Sequence, residues 1–236
     1  LTAEAPDVVG ACHFCHMCRQ VCPVANATGS EADSPRGFGL AAFLTLKGLT
    51  PLSEGAAHLY HCTGCGACSA FCVSHYEPFR GVLAFRADLA ETGAAAPAAR
   101  AAAARTAETG SPFAPRATFD FDRLPASPVG KAEVTLLLDC GTRSLRPQVA
   151  LAFARILRAA GLPFRVEAGA GCGGAALYDL GLRAEATAAA ARWNQALEAA
   201  GTPAIAVPSP ACVDAVRNRH ARWGVSRAGT ARVLHS

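Results

Sequence analysis

Eight of the eleven cysteines fall in two short runs, Cys12-x-x-Cys15-x-x-Cys18-x-x-x-Cys22-Pro23 and Cys62-x-x-Cys65-x-x-Cys68-x-x-x-Cys72. No other feature constrains the chain as strongly. Two residues between successive thiolates let three of them wrap three corners of one cubane. The fourth, a helical turn further on, points away and reaches the cluster of the other run. The spacing therefore predicts two [4Fe–4S] clusters with crossed ligation. One is held by Cys12, Cys15, Cys18 and Cys72, the other by Cys62, Cys65, Cys68 and Cys22. Gly64 and Gly66 let the second loop fold closely around its cluster. Two zinc sites would also use eight cysteines, but zinc modules present paired Cys-x-x-Cys knuckles rather than a three-plus-one run ending in proline.

Disulfide scaffolds are short, secreted and loop-rich, whereas this chain has 236 residues, an odd number of cysteines and helix-prone stretches. A reducing compartment with metal-ligating cysteines fits better. Hydrophobic residues make up 51% of the chain, ample for a core. The net charge of +4 is modest, and Lys47 and Lys131 are the only lysines among 22 basic residues. No basic stripe with interleaved aromatics exists, which argues against nucleic acid. The most apolar run, Phe38 to Leu52, is broken by Lys47 and two glycines, so no stretch is suited to span a membrane. No signal-peptide or twin-arginine pattern is visible. The expectation is a cytoplasmic protein that associates with a membrane only through a partner. His13, His16, His58, His61 and His75 crowd the cysteine runs. With all eight cysteine positions filled, they read as surface or supporting groups able to tune a potential.

The pattern divides the chain in three. Residues 1–90 form a helical segment with both cysteine runs. Residues 91–130 form a linker: Ala94–Ala107 is nearly all alanine, and Pro112, Pro115, Pro125 and Pro128 follow. From residue 131 strand and helix alternate. Strands are expected over Ala132–Asp139, Pro163–Glu167, Ala204–Val207 and Arg232–His235. Helices are expected over Pro147–Ala160, Ala184–Ala200 and Val213–Trp223. That order predicts a small α/β domain with an open parallel sheet and right-handed crossovers. Cys140, Cys172 and Cys212 each follow a predicted strand. Parallel strands end on one edge, so the three thiols should meet there, each near a helix N-terminus that favours thiolate. Three thiolates can hold a cluster with an open iron, a [3Fe–4S] cluster, or zinc with water. They can equally be relics in an empty module. Gly169–Gly174 is glycine-rich but lacks phosphate-loop spacing.

With Ser34-Pro35-Arg36-Gly37 and Cys62-Thr63-Gly64-Cys65-Gly66-Ala67-Cys68, residues 8–90 resemble the ferredoxin-like domain of the heterodisulfide reductase C subunit. They are also similar to the iron–sulfur subunits of glycolate oxidase and anaerobic glycerol-3-phosphate dehydrogenase. Val73 stands where a proline often follows the last cysteine. The C-terminal part resembles one copy of the cysteine-rich module of the heterodisulfide reductase B subunit. Its pattern reads here as Cys140-Gly141, Gly171-Cys172-Gly173 and Ser209-Pro210-Ala211-Cys212, with Gly171 and Ser209 in place of two cysteines. The resemblance implies an electron-transfer subunit of a larger redox complex. Its partners would be an FAD-containing flavoprotein dehydrogenase, other redox subunits and a quinone-linked membrane partner. The competing expectation is catalytic, with a third cluster or zinc at Cys140, Cys172 and Cys212 reducing a disulfide or quinone.

Overall fold

The computed structural model describes residues 10–115, 120, 123–226 and 231–234. They fall into two compact units. The first comprises residues 1–100 with Asp179–Leu182, the second Ala101–Tyr178 with Arg183–Ser236.

The first unit is helical. Its two longer helices, Pro35–Leu46 and Pro78–Glu91, and the short helix Ala56–His61 share one small core of Phe38, Ala42, Leu59, Val82, Ala84, Phe85 and Leu89. The spacing of Val82, Phe85 and Leu89 puts them on one face of their helix. Truncating fully buried Phe85 to alanine would cost about 3–5 kcal/mol. Of the apolar residues between the cysteine runs, Leu40, Phe43 and Leu49 remain exposed. The start of helix Pro35–Leu46 explains the Ser-Pro-Arg-Gly sequence. The Ser34 hydroxyl accepts from the Gly37 amide at 2.9 Å, Pro35 takes the first helical position, and Arg36 pairs with Glu31 at 3.4 Å. Gly37 lies so close to the Glu31 carbonyl that a Cβ there would meet its oxygen at 2.3 Å. The short turn Glu31–Asp33 is thereby fixed against the helix.

In the second unit four parallel strands form a sheet in the order β2-β1-β3-β4. They are β1 Val134–Leu137, β2 Phe164–Glu167, β3 Ala204–Ala206 and β4 Arg232–Leu234. Val134 pairs with Phe164 on one side and Ala204 on the other. Both sheet faces are covered. Val134, Leu136 and Leu138 meet Ala150, Phe153 and Leu157 of helix Pro147–Ala159. Leu137, Ile205 and Val233 meet Trp193 and Leu197 of helix Arg183–Ala199. β1 is buried along its whole length, which is why its sequence is apolar except for Thr135, whose hydroxyl bonds that of Thr202 at 2.8 Å.

The open parallel sheet expected from the sequence is present, with shorter elements. His235 lies outside the described residues. The helix expected over Val213–Trp223 begins earlier, at Pro210, which occupies the first helical position after the Ser209 cap. It gives way at Ala215 to a wide π turn and then, at His220, to a tight 3₁₀ turn. Two short helices, Cys140–Leu145 and Ala175–Asp179, were not legible as periodic patterns. The alanine-rich stretch forms the helix Pro97–Thr109.

Candidate iron–sulfur centres

Each cysteine run is a loop leading into a one-turn helix, Met17–Gln20 in the first and Ala67–Ala70 in the second. The two loops share an unusual backbone. Phe14 and His16 lie at φ 52° and 67°, and their counterparts Gly64 and Gly66 at 71° and 74°. Two left-handed residues around the middle cysteine curl the chain so that its three thiols face inward. The second run meets this demand with glycine, the first with residues that carry a Cβ. Phe14 is seated by an edge-on contact with Phe43, ring centroids 5.9 Å apart.

Cys22 belongs in sequence to the first run, but the fold carries it to the second. It caps helix Pro23–Thr28, its sulfur accepting from the Ala25 amide at 3.5 Å. It lines one cavity together with Cys62, Cys65 and Cys68. The rest of that wall is mainly apolar, including Pro23, Phe38, Pro78, Phe79 and Val82. Cys72 lies with Cys12, Cys18 and Cys68 around the hydroxyl of buried Tyr76, whose pKa is pushed up by burial and then by the charge of those sulfurs. Burial also pushes up the Cys18 thiol, to about 11, with Cys68 and Cys12 adding charge repulsion. Cys62 and Cys68 are raised chiefly by burial too. A cationic centre among these sulfurs would relieve that cost.

The spread of the sulfurs tests which centre fits. A tetrahedral zinc ion binds sulfur at about 2.3 Å, which puts its ligands about 3.8 Å apart. Among the described residues, no three cysteine sulfurs lie within 4.8 Å of one another. The residues fit a larger inorganic core in an apolar cavity, and a single ion does not fill either set.

Two residues that the cysteine spacing did not reveal complete this region. Arg86 is buried in helix Pro78–Glu91 and donates to the Leu59 carbonyl at 2.7 and 3.0 Å and to the Cys62 carbonyl at 2.7 Å. It places a cation beside the second cysteine set and fixes the backbone where that run begins. The sequence signal was an arginine inside the apolar stretch Val82–Leu89. Asp33 accepts from His58 and His61, at 2.7 and 2.8 Å. His13, His16 and His75 are exposed.

In the second unit Cys140, Cys172 and Cys212 come together at the carboxyl end of the sheet, all buried. Cys140 begins its helix behind the cap Asp139, and Cys212 follows the cap Ser209, whose hydroxyl accepts from its amide at 3.4 Å. Cys172 sits in the loop after β2, its sulfur accepting from the Gly174 amide at 3.3 Å. The Cys140 thiol donates to the Cys172 sulfur, which pulls the Cys172 pKa down and raises that of Cys140. Burial and the Asp139 charge push Cys212 up to about 12. Of the three, Cys172 is thus the one whose surroundings favour the charged form.

Comparison with known proteins places these two constructions in known classes. Residues 8–76 match the 4Fe-4S dicluster domain and residues 134–217 the cysteine-rich domain. The chain is thus an iron–sulfur protein that joins a dicluster domain to a cysteine-rich domain, which bears out the resemblance carried by the two cysteine patterns. It is similar to the glycolate oxidase iron-sulfur subunit of Escherichia coli (strain K12), at 27% identity over 237 residues. That similarity covers 89% of this chain and 58% of the relative, so the chain spans little more than half the relative's length. No solved structure matches. Among the described residues no helix is long and apolar enough to cross a membrane.

Proposed function

We propose that this chain relays single electrons, as the iron–sulfur subunit of a multi-subunit redox complex, between a flavoprotein dehydrogenase and a further acceptor. Two [4Fe–4S] clusters would be held by Cys12, Cys15, Cys18 and Cys72 and by Cys62, Cys65, Cys68 and Cys22. The observation that carries this reading is the apolar cavity in which Cys22 joins the three cysteines of the other run. When bound, such clusters supply one-electron redox chemistry, with potentials set by their surroundings. The chain's own residues provide those surroundings. Pro23, Phe38, Phe79 and Val82 keep water from the second set. Arg86 holds a positive charge beside it, and the protonated Tyr76 hydroxyl lies among the sulfurs of Cys12, Cys18, Cys68 and Cys72.

The reading takes residues 1–90 as the cluster domain, 91–130 as the connection and 131–236 as a docking module. The similarity to a glycolate oxidase subunit supports a flavin dehydrogenase of small 2-hydroxy acids as donor and a quinone-linked acceptor. Such a complex would be cytoplasmic, held at the membrane by its partner. Anaerobic capture of the tagged chain should bring down a flavin-containing subunit, with about eight iron atoms per chain. Reduction by that subunit should bleach the cluster absorbance. A chain without iron, or a flavin-free complex, would refute the proposal. A second reading rests on the buried, hydrogen-bonded thiols Cys140 and Cys172 with Cys212 beside them: a third, catalytic centre acting on a disulfide or quinone. It requires eleven or twelve iron atoms, or added zinc (these counts are approximate).

A further inference from the structure

The turn before helix Pro35–Leu46 and the end of helix Ala56–His61 build a separate constellation. His58 and His61 are three residues apart and so share one face of their helix. Asp33 faces them from the turn that Ser34, Arg36 and Gly37 fix in place. Both imidazole Nδ1 atoms lie at one carboxylate oxygen, Asp33 Oδ1, at 2.7 Å for His58 and 2.8 Å for His61. One donor atom from each of the three residues lies within 4.8 Å of the other two, and no other trio of His, Cys, Asp or Glu among the described residues is as compact. The carboxylate is 5% exposed and the two rings are 44% and 50% exposed. The three donors therefore rest on a rigid, buried anchor and remain open to solvent on the imidazole side.

We infer that Asp33, His58 and His61 form a binding site for a borderline divalent cation of the zinc type, distinct from the iron–sulfur centres. Two imidazoles and one carboxylate suit zinc and its neighbours, whereas magnesium and calcium prefer oxygen-only cages. Three protein donors leave a fourth position for water, and the half-exposed rings leave room for it. On binding, each ring would shift its proton from Nδ1 to Nε2 and offer the freed Nδ1 lone pair to the cation. The hydrogen bonds of both Nδ1 atoms to one oxygen gather the three donors, and a cation replacing those protons would spread them from 2.7–2.8 Å to about 3.3 Å. The site differs in kind from the cysteine sets, whose sulfurs are too widely spread for one ion.

The test uses the full chain with its clusters, stripped of adventitious metal by a mild chelator. Zinc is added alone, and bound zinc is measured by equilibrium dialysis and zinc-edge X-ray absorption. One zinc per chain is expected, with a nitrogen/oxygen shell near 2.0–2.1 Å. The double variant His58→Gln with His61→Gln should lose that zinc while keeping full iron content and cluster absorbance. The single variant His58→Gln should weaken binding by about tenfold or more, since even the loss of a group supporting a ligand costs about 10–100-fold. Zinc content unchanged in the double variant, or a sulfur shell near 2.3 Å, would overturn the assignment. The absence of bound zinc in the native chain would do so equally. None of these outcomes touches the iron–sulfur reading, which rests on iron content.

Discussion

The two units gather cysteines by opposite means. In the first, eight cysteines sit in and around two loops of unusual backbone and the one-turn helices they lead into, beside a core built from seven buried side chains. Most of the sulfurs are partly or wholly exposed. In the second, three cysteines are buried at the end of a sheet whose two faces are both packed. Their meeting point is set by strands that would end there whatever the thiols did. In one unit the ligand organises the chain, and in the other the chain organises the thiols. The difference tells where metal removal should be felt.

Iron removal should give the largest effect. Stripping iron under anaerobic, reducing conditions should unfold most of the first unit, because metal-dependent small domains lose their fold with their metal. Leu40, Phe43 and Leu49 stay exposed, and the core that remains is small. Amide exchange read by mass spectrometry should show fast exchange across Pro35–Glu91. β1, β2 and β3 should keep their protection. Equal protection of both units in the iron-free chain would break the comparison.

Single ligands sharpen it. Cys22→Ser should abolish the centre at Cys62, Cys65 and Cys68 and bring iron down from about eight to about four. The set at Cys12, Cys15 and Cys18 should persist. Loss of the first run's centre instead, seen by Mössbauer or paramagnetic resonance spectroscopy, would overturn the crossed pairing. Cys212→Ser should leave iron content unchanged and lower the thermal midpoint by only a few degrees, as expected for about 1 kcal/mol in a small domain.

The extent to which this was legible in the sequence follows the same division. Cysteine spacing is a local record of chemistry, so both runs could be read directly, and the expected crossing is matched by the position of Cys22 in the cavity of the second run. The parallel sheet was legible because Val134–Leu138 is a short run apolar but for Thr135 and Pro147–Ala159 has clear helical spacing. The short helix Cys140–Leu145 was not, since it is placed by the Asp139 cap rather than by an apolar stripe. Arg86 and Asp33 escaped because their roles depend on distant partners. Arg86 serves a carbonyl 24 positions away, and Asp33 serves histidines 25 and 28 positions away. The surroundings of the C-terminal thiols were not legible either: burial and the Asp139 charge act on Cys212 against the helix end, and the hydrogen bond between Cys140 and Cys172 acts oppositely on its two partners.

The loops offer a smaller test. Gly66→Ala has open space for its Cβ and should cost only the left-handed backbone strain, about 1 kcal/mol. Gly64→Ala should cost more, because its Cβ would press on the Phe79 ring at 3.0 Å, next to the second cysteine set. The exchange His16→Gly should be close to neutral, since relief of strain offsets the greater freedom of the unfolded chain. Thermal midpoints of the three cluster-loaded variants should rank His16→Gly highest, Gly66→Ala next and Gly64→Ala lowest. A larger loss for Gly66→Ala than for Gly64→Ala would show that the loops are not held by this backbone.

The smallest effect should come from rebuilding the C-terminal cysteine pattern. Ser209 and Gly171 stand where the cysteine-rich module carries thiols, but the two positions are not equivalent. Ser209 caps its helix with Pro210 behind it, much as Cys22 does with Pro23, and a sulfur can accept from the Cys212 amide as the Cys22 sulfur does from Ala25. Ser209→Cys should therefore fold and place a fourth thiol beside Cys212. Gly171 lies at φ 68°, and a Cβ there would stand 3.1 Å from the Gly110 carbonyl oxygen. Gly171→Cys meets both backbone strain and that oxygen, so it should destabilise the second unit by about 1–2 kcal/mol. Cluster reconstitution followed by iron analysis should show a small gain for Ser209→Cys and no further gain for the double variant. A double variant that takes up a full additional cluster without loss of stability would show that the ligand can reshape this unit as well. The contrast between the two ways of gathering cysteines would then fail.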